Sequence, residues 1–217
     1  MKANVITFPG SNCDKDIGSI LANEFQADVH YVWHKESFDN RPDLVVLPGG
    51  FSFGDYLRCG AMAKYSPCMK SVDEHRKRGG FVLGICNGFQ ILTEAGYLPG
   101  ALLHNRSLKY VCKDVDLLPD KQNQVTAGLS SQALSIPIAH GEGAYFADEE
   151  TLKRLEGDSL VAFRYAENPN GSLHDIAGIT DAKGKILGMM PHPERAMNPY
   201  TGKMDGKAIF ESIFKNL

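Results

Sequence analysis

The sequence predicts an α/β fold with three layers. A mostly parallel central sheet lies between helices, an antiparallel elaboration follows in the second half, and one domain spans 1–217. Three observations carry this. Short runs such as Leu44 to Leu47 (LVVL) and Phe81 to Ile85 (FVLGI) are apolar without alternation, as in strands buried on both faces. Amphipathic segments separate them in the order β-α-β-β-α-β-α, which calls for parallel pairing under helical cover. Beyond about residue 107 the runs alternate or follow one another through turns, and no linker, repeat or low-complexity tract intervenes.

Asn4 to Phe8 reads as a buried first strand, closed by the turn Pro9-Gly10-Ser11-Asn12. Ile17, Ile20, Leu21 and Phe25 then recur at helical spacing, with Asp14 or Asp16 placed to cap the helix start. Asp28 to His34 (DVHYVWH) is β-branched and aromatic, hence a strand. Leu44 to Leu47 ends at Pro48-Gly49-Gly50. Pro67 to Arg78 is a helix with a basic tail, stopped by Gly79-Gly80. Phe81 to Ile85 is a strand, and Asn87 to Ala95 a helix ending at Gly96. Ser107 to Leu118 alternates, as an antiparallel or edge strand does, and Gln132 to His140 contains another strand. Asp148 to Leu155 is a short helix with acids first and bases last, the order the helix dipole favours. Leu160 to Tyr165, Ile176 to Thr180 and Ile186 to Met190 read as strands. A last helix from about Asp205 sets Ile209, Phe210, Ile213, Phe214 and Leu217 on one face.

Composition narrows the function classes. Among 217 residues, 23 Lys and Arg face 26 Asp and Glu, so a net charge of −3 offers no general attraction to nucleic acid or anionic lipid. No apolar run approaches the ~20 residues that span a bilayer. The opening residues are expected to form a strand rather than a signal peptide. The five cysteines (13, 59, 68, 86, 112) are odd in number, irregular in spacing and never C-x-x-C. Neither a disulfide framework nor a metal site is expected, and the cysteines read mainly as buried small hydrophobes of a reducing cytoplasm.

Cys86 stands apart. In Gly84-Ile85-Cys86-Asn87-Gly88-Phe89-Gln90 it sits between a buried strand and a helix, with glycines two residues to either side. A direct strand-to-helix corner strains its central residue and crowds the positions two away unless they lack Cβ. The side chain would then stand at a helix N-terminus, where free N–H groups and the dipole favour a thiolate and hold an oxyanion. Read alone, the pattern equally describes a buried cysteine before a glycine-tolerant helix start. Independently, Met190-Pro191-His192-Pro193-Glu194 follows a strand, and its two prolines bias it toward extended geometry. Residues two apart then share a side, so Glu194 can orient the His192 imidazole; a proline turn with two solvated polar residues is the other reading. The other six histidines lack such a partner. Pro48-Gly49-Gly50 at a strand end permits close backbone approach to a ligand; a plain turn or a phosphate cradle would look alike, although the P-loop lysine and hydroxyl are missing.

Taken together, P-G-G, then G-x-C-x-G-x-Q, then P-H-P-E resemble the class I (triad) glutamine amidotransferases, of flavodoxin-like fold. Finer residues resemble the branch that supplies glutaminase subunits to phosphoribosylformylglycinamidine synthases: Phe8 to Asp14, Gly49 to Arg58, Gly84 to Gln90, Ala139 to Gly143 and Met190 to Arg195. Phe53, often Tyr in that branch, is a mild departure. The resemblance covers nearly the whole chain and implies Cys86, His192 and Glu194 as catalytic residues. It implies the backbone N–H groups of Gly50 and Asn87 as the oxyanion hole, with Gly49, Gln90, His140 and Gly141 about the glutamine. It further implies glutamine hydrolysis through a cysteine thioester, no cofactor on this chain, and ammonia passed to a separate large synthetase subunit that uses ATP and magnesium. A small third subunit completes the implied assembly, and Gly10 to Asp14 and Tyr56 to Lys64 are the segments expected at the interface. Other triad amidotransferase subunits, a cysteine hydrolase of similar fold and a non-catalytic scaffold are the competing readings.

Overall fold

A computed structural model describes residues 1–198, 200 and 202–217. Its strands are β1 (Lys2–Thr7), β2 (Asp28–Trp33), β3 (Leu44–Leu47), β4 (Phe81–Ile85), β5 (Ala101–Leu103), β6 (Val111–Pro119), β7 (Leu134–His140), β8 (Ala144–Phe146), β9 (Val161–Tyr165), β10 (Ile176–Thr180) and β11 (Ile186–Met189). Its helices are α1 (Asp14–Asn23), α2 (Cys68–Lys77), α3 (Asn87–Glu94), α4 (Glu149–Gly157) and α5 (Asp205–Phe214). Nine strands form one sheet in the order β2-β1-β3-β4-β11-β10-β9-β6-β7, while β5 and β8 pair separately. From β2 to β11 every pairing is parallel. From β11 onward every pairing is antiparallel.

Every residue of β3, β4 and β11 is buried, as their uninterrupted apolar sequences require. Helix α1 packs on β1 and β2, and Phe25 just after it meets Phe210 and Phe214 of α5 at ring separations of 5.8 and 4.7 Å. Helix α3 packs on β3, β4 and β11. Right-handed crossovers in opposite directions from β1 and β3 put α1 and α2 on opposite faces of the sheet. Among the described residues no helix is long and apolar enough to cross a membrane.

Several expectations need correction. Neither Asp14 nor Asp16 caps α1; Cys13 occupies the cap position without a side-chain hydrogen bond. Asp16 instead pairs with Arg195 at 3.0 Å, a contact between distant parts of the chain. The β-branched and aromatic strand β2 is an edge of the sheet, where Tyr31 and Trp33 are exposed. Strand β6 is antiparallel, one of the two forms its alternation allowed, and lies inside the sheet with β7 as the second edge. Strands β5 and β8, three residues each, carry no periodicity long enough to read. The cap on α4 is present, with Asp148 accepting from the Thr151 N–H at 2.7 Å.

The sheet order has one functional consequence. Strands β3, β4 and β11 are neighbours running the same way, so the residues after them, Gly49-Gly50, Cys86 and Met190 to Glu194, gather at one edge. The approach is close: a Cβ on Gly84 would lie 2.8 Å from the Gly88 carbonyl carbon, and one on Gly88 would overlap the Leu47 carbonyl oxygen. Gly88→Ala is therefore expected to cost more than about 2 kcal/mol through backbone displacement. The midpoint of urea unfolding checks it; an unchanged midpoint contradicts the close approach.

Candidate active site

Cys86 sits at the corner between β4 and α3 with φ +50° and ψ −106°. That conformation costs a residue with Cβ about 1–3 kcal/mol. It is held by the Cys86 N–H donating to the Met189 carbonyl at 2.8 Å and by Cys86 O accepting from Gln90 N at 3.1 Å. The residue is 5% exposed, and its Sγ lies 3.8 Å from the Ala139 carbonyl oxygen. It is not enclosed by aliphatic groups alone. One side faces a cavity of about 190 Å³ that also touches Gly50, Gln90, His140 and Gly141. The other borders a cleft of about 40 Å³ shared with Cys13, His192 and Arg195.

His192 is almost fully buried, and its Nδ1 donates to Glu194 Oε1 at 2.7 Å. The two residues meet, but not along an extended chain. Pro193–Arg195 form a single 3-10 turn, and the prolines set the turn start instead of prolonging the strand. The His192 N–H donates to the Pro137 carbonyl at 2.9 Å, which anchors the segment on β7. Because a carboxylate can only accept, the Nδ1 proton faces Glu194, and Nε2 is left without a hydrogen bond among the described residues. Burial lowers the His192 pKa, but the Glu194 carboxylate and the sulfurs of Cys86 and Cys13 together raise it well above 6.5. These neighbours favour the protonated form of the ring beside Cys86.

Around this pair the glycines have separate tasks. A Cβ on Gly49 would come within 2.6 Å of His192 Cε1 and 3.1 Å of Cys13 Sγ, so Gly49 makes room for the imidazole and is absent from the lining of the 190 Å³ cavity. Gly50 has φ +143° and lies against Ser11 and Asn12, where a Cβ would meet backbone at 2.8 Å. It borders Cys86 in both cavities, and no acceptor among the described residues takes its N–H. Asn87 is the first residue of α3, so its N–H has no partner within the helix. Its side chain accepts from Ser52 N at 3.1 Å and donates to Gln90 Oε1 at 2.9 Å, while Gln90 Nε2 donates to the Glu142 carbonyl at 2.6 Å. Both ends of Gln90 are thereby engaged in joining α3 to two loops. It lines the cavity while bracing it.

Sequence reasoning missed two polar residues here. Asn105, fully buried, accepts from the Gly143 N–H, donates to the His140 carbonyl and pairs with His140 Nδ1 at 3.0 Å. No local pattern marks it, because its bonds to His140 and Gly143 span 35 and more residues. Cys13, read as a small hydrophobe, has polar neighbours: Arg195 Nη2 lies 3.2 Å from its Sγ. Donor atoms of Cys13, His192 and Glu194 lie within 4.8 Å of one another, a spacing a metal ion could use. The short His192–Glu194 bond and the Arg195 charge on Cys13 already employ these atoms, and they fit a hydrogen-bonded base better. Of the remaining thiols, burial first and then Asp55 push Cys59 far up, burial pushes Cys68 up to about 12, and Cys112 is exposed.

A cysteine at a strand-helix corner, flanked by a carboxylate-held imidazole on a doubly wound sheet, is the arrangement of a cysteine-dependent amide-cleaving domain. The chain belongs to the glutamine amidotransferases: residues 1–215 match the family of CobB/CobQ-like glutamine amidotransferase domains. A phosphoribosylformylglycinamidine synthase subunit PurQ from Leptospira interrogans is 58% identical over 216 residues, covering 98% of this chain and 99% of that protein. The subunit of the same name from Trichormus variabilis is 50% identical over 220 residues, covering 100% and 98%. Among solved structures, one described as PurLQS from Thermotoga maritima aligns with a TM-score of 0.85 at 40% identity, over 99% of this chain and 97% of that one.

The electrostatics generate a prediction. Glu194 is the largest of the influences that raise His192, so Glu194→Gln should move the ring titration to lower pH. In the native chain the stabilisation from the charged pair is complete below pH 6.5 and fades as pH rises through the raised native pKa; the variant lacks it. NMR titration of the His192 ring checks this. An identical midpoint in both proteins rules out the carboxylate as the cause.

Proposed function

We propose that this chain is the glutaminase subunit of a phosphoribosylformylglycinamidine synthase, acting as one amidotransferase unit over 1–217. The observation that carries the reading is the meeting of Cys86 with the His192–Glu194 pair at adjacent strand ends, in a chain 58% and 50% identical to subunits of that enzyme. The single sheet, drawing strands from both halves of the sequence, supports treating the chain as one unit.

The chemistry follows from the geometry. Cys86 sulfur, as thiolate, attacks the carboxamide carbon of glutamine lying in the 190 Å³ cavity. The N–H groups of Gly50 and Asn87 take the developing oxyanion, each worth about 3 kcal/mol. The His192 Nε2 proton passes to the departing nitrogen, the C–N bond breaks, and ammonia leaves a glutamyl thioester. The now neutral imidazole removes a proton from water, hydroxide attacks the thioester, and glutamate departs with the thiolate restored. Glu194 keeps the ring oriented and supports its positive charge throughout. Gly49 seats the ring, Gln90 braces the cavity wall, and His140 with Gly141 borders the amino-acid end of the substrate.

Ammonia set free in water is protonated and loses its nucleophilic pair, so a protected route to an acceptor is needed. The acceptor here is formylglycinamide ribonucleotide on a large cytoplasmic subunit that uses ATP and magnesium, in an assembly with a small third subunit. Two features of the Tyr56 to Lys64 segment support its place at that contact. Leu57 is 90% exposed and Tyr56 is 76% exposed, an unusual cost for apolar groups left in water. Arg58 is a poor probe of this surface, because its Nε is 2.6 Å from Glu94 Oε1 and its reversal would place two carboxylates together.

Two outcomes test the proposal. Cys86→Ser in the assembled enzyme should lower glutamine-dependent synthesis by at least about 1000-fold while ammonia-dependent synthesis persists; equal loss of both would refute the assignment. Leu57→Asp should weaken association with the large subunit by about tenfold or more in a titration followed by calorimetry, since a hot-spot contact is worth over 1 kcal/mol. Unaltered affinity removes this segment from the interface.

A further inference from the structure

The His192–Glu194 pair has a neighbour that the mechanism leaves unused. Cys13 stands at the start of α1, with its N–H on the Gly49 carbonyl at 3.3 Å. The residue is 3% exposed and borders the cleft of about 40 Å³ together with Cys86, His192 and Arg195. A Cβ on Gly49 would lie 3.1 Å from its Sγ and 2.6 Å from His192 Cε1. Cys13 Sγ, a ring nitrogen of His192 and a carboxylate oxygen of Glu194 lie within 4.8 Å of one another. The sulfur thus sits beside the hydrogen bond that orients the ring. Its own S–H donates to Asn12 Oδ1 at 3.2 Å, and its lone pairs accept from Arg195 Nη2 at 3.2 Å.

Arg195 is the reason this placement matters. It follows Glu194 directly, and its guanidinium is always charged. Glu194 Oε2 is shut off from solvent and has no hydrogen-bond partner among the described residues, so half of the carboxylate is open to a donor. Glu194, Asp16 and Arg195 also border one open cavity of about 570 Å³, so guanidinium and carboxylate share a space. A guanidinium forks readily onto a carboxylate through two parallel bonds. Such a pair would draw Glu194 Oε1 off His192 Nδ1 and set a permanent positive charge against the imidazolium. Two contacts hold Arg195 elsewhere. Asp16 Oδ2 accepts from its Nε at 3.2 Å and from its Nη2 at 3.0 Å, but the Arg195 and Asp16 side chains are 39% and 44% exposed, so water weakens that pair. Cys13 supplies the buried contact. Its polarizable sulfur accepts the guanidinium N–H without adding a further fixed charge beside the ring.

Resting on the proposed glutaminase reading, we infer that Cys13 is a positioning residue of the reaction: with Asp16 it docks the Arg195 guanidinium at the start of α1 and so reserves Glu194 for His192. The other titratable groups about the ring come from several elements. Cys86 lies at the β4–α3 corner, Tyr110 just ahead of β6, and His140 on β7, where burial and next the charge of His192 lower its pKa to about 4. Lys15 of α1, the other cation at the 570 Å³ cavity, lies over the Tyr31 ring. On α5, which packs against the Pro193–Arg195 turn, Asp205 accepts from the Ser135 N–H, while Lys207 and Glu211 are exposed.

The test uses the assembled enzyme and asks whether the harm done by losing the sulfur comes from Arg195. Cys13→Val keeps a side chain of similar bulk without an acceptor, and it should lower glutamine-dependent kcat by about tenfold or more while ammonia-dependent synthesis persists. Cys13→Ser, which keeps an acceptor, should stay within about threefold of the wild type. The double variant Cys13→Val with Arg195→Met should regain most of what Cys13→Val loses, because no guanidinium is left to compete for Glu194. NMR titration of the His192 ring should move to lower pH in Cys13→Val and back toward the wild type in the double variant. A packing role alone predicts neither recovery. If Cys13→Val does not fold, Cys13→Ala with and without Arg195→Met is compared in the same way. Wild-type activity in the single variant, or a double variant no better than the single one, overturns the inference and leaves the glutaminase reading intact. A wild type that releases no ammonia from glutamine sinks that reading instead.

Discussion

The backbone corner at Cys86 constrains everything around it. Strand β4 passes into α3 without an intervening loop, so one residue must absorb the whole change of direction, and it does so at φ +50°. The strain is held because both neighbours at two residues' distance are glycines, and because α3 can then lie directly on β3, with Gly88 against the Leu47 carbonyl. The same packing sets Cys86 at the N-terminus of α3. One steric solution therefore sets both the position of the Cys86 side chain and the helix dipole beside it. Loosening the corner would remove both together.

The second requirement is electrostatic. A buried imidazolium is costly unless countercharge and hydrogen bond are both present. Glu194 provides both at 2.7 Å, from a position two residues away along a turn that its own proline begins. The ring is thus tied to the carboxylate by local sequence and to the sulfur by sheet order. Gly49, just past β3, leaves the imidazole the space that any Cβ there would take. Cys13 and Arg195 add a second thiol and a guanidinium held by Asp16, so the local field depends on residues from three strand ends rather than on Cys86, His192 and Glu194 alone.

What could be read from the sequence was local or strand-terminal. The buried strands, the G-x-C-x-G corner, the glycine pair at Gly49-Gly50 and the adjacency of His192 to Glu194 each express a constraint within a few residues. The unread parts express constraints between distant ones. Asn105 joins His140 and Gly143 across 35 and more residues, Asp16 leaves a cap for Arg195 across 179, and β6 takes an interior place because β9 and β7 flank it. The extended geometry expected at Pro191 to Glu194 failed for another reason. Proline restricts its predecessor but also favours the first position of a helical turn, and the carbonyl of Pro137 held His192 where the second tendency prevailed.

The segment from Phe51 to Cys59 ties the two halves of the function to one piece of backbone. Phe51, Asp55 and Cys59 border the cavity, while Tyr56 and Leu57 between them stand in solvent. Phe53, Asp55 and Leu57 all take positive φ, which three non-glycine residues in a row of alternate positions tolerate only when their surroundings hold them. Part of that hold is internal, through the Phe53 N–H on the Pro9 carbonyl at 2.6 Å and the Gly54 N–H on Phe51 O at 2.8 Å. Among the described residues no backbone N–H bond of this kind anchors Tyr56 or Leu57. Tyr56 and Leu57 thus stand on the same strained backbone that carries Asp55 into the cavity wall, so the outer and inner faces of this segment share one geometry.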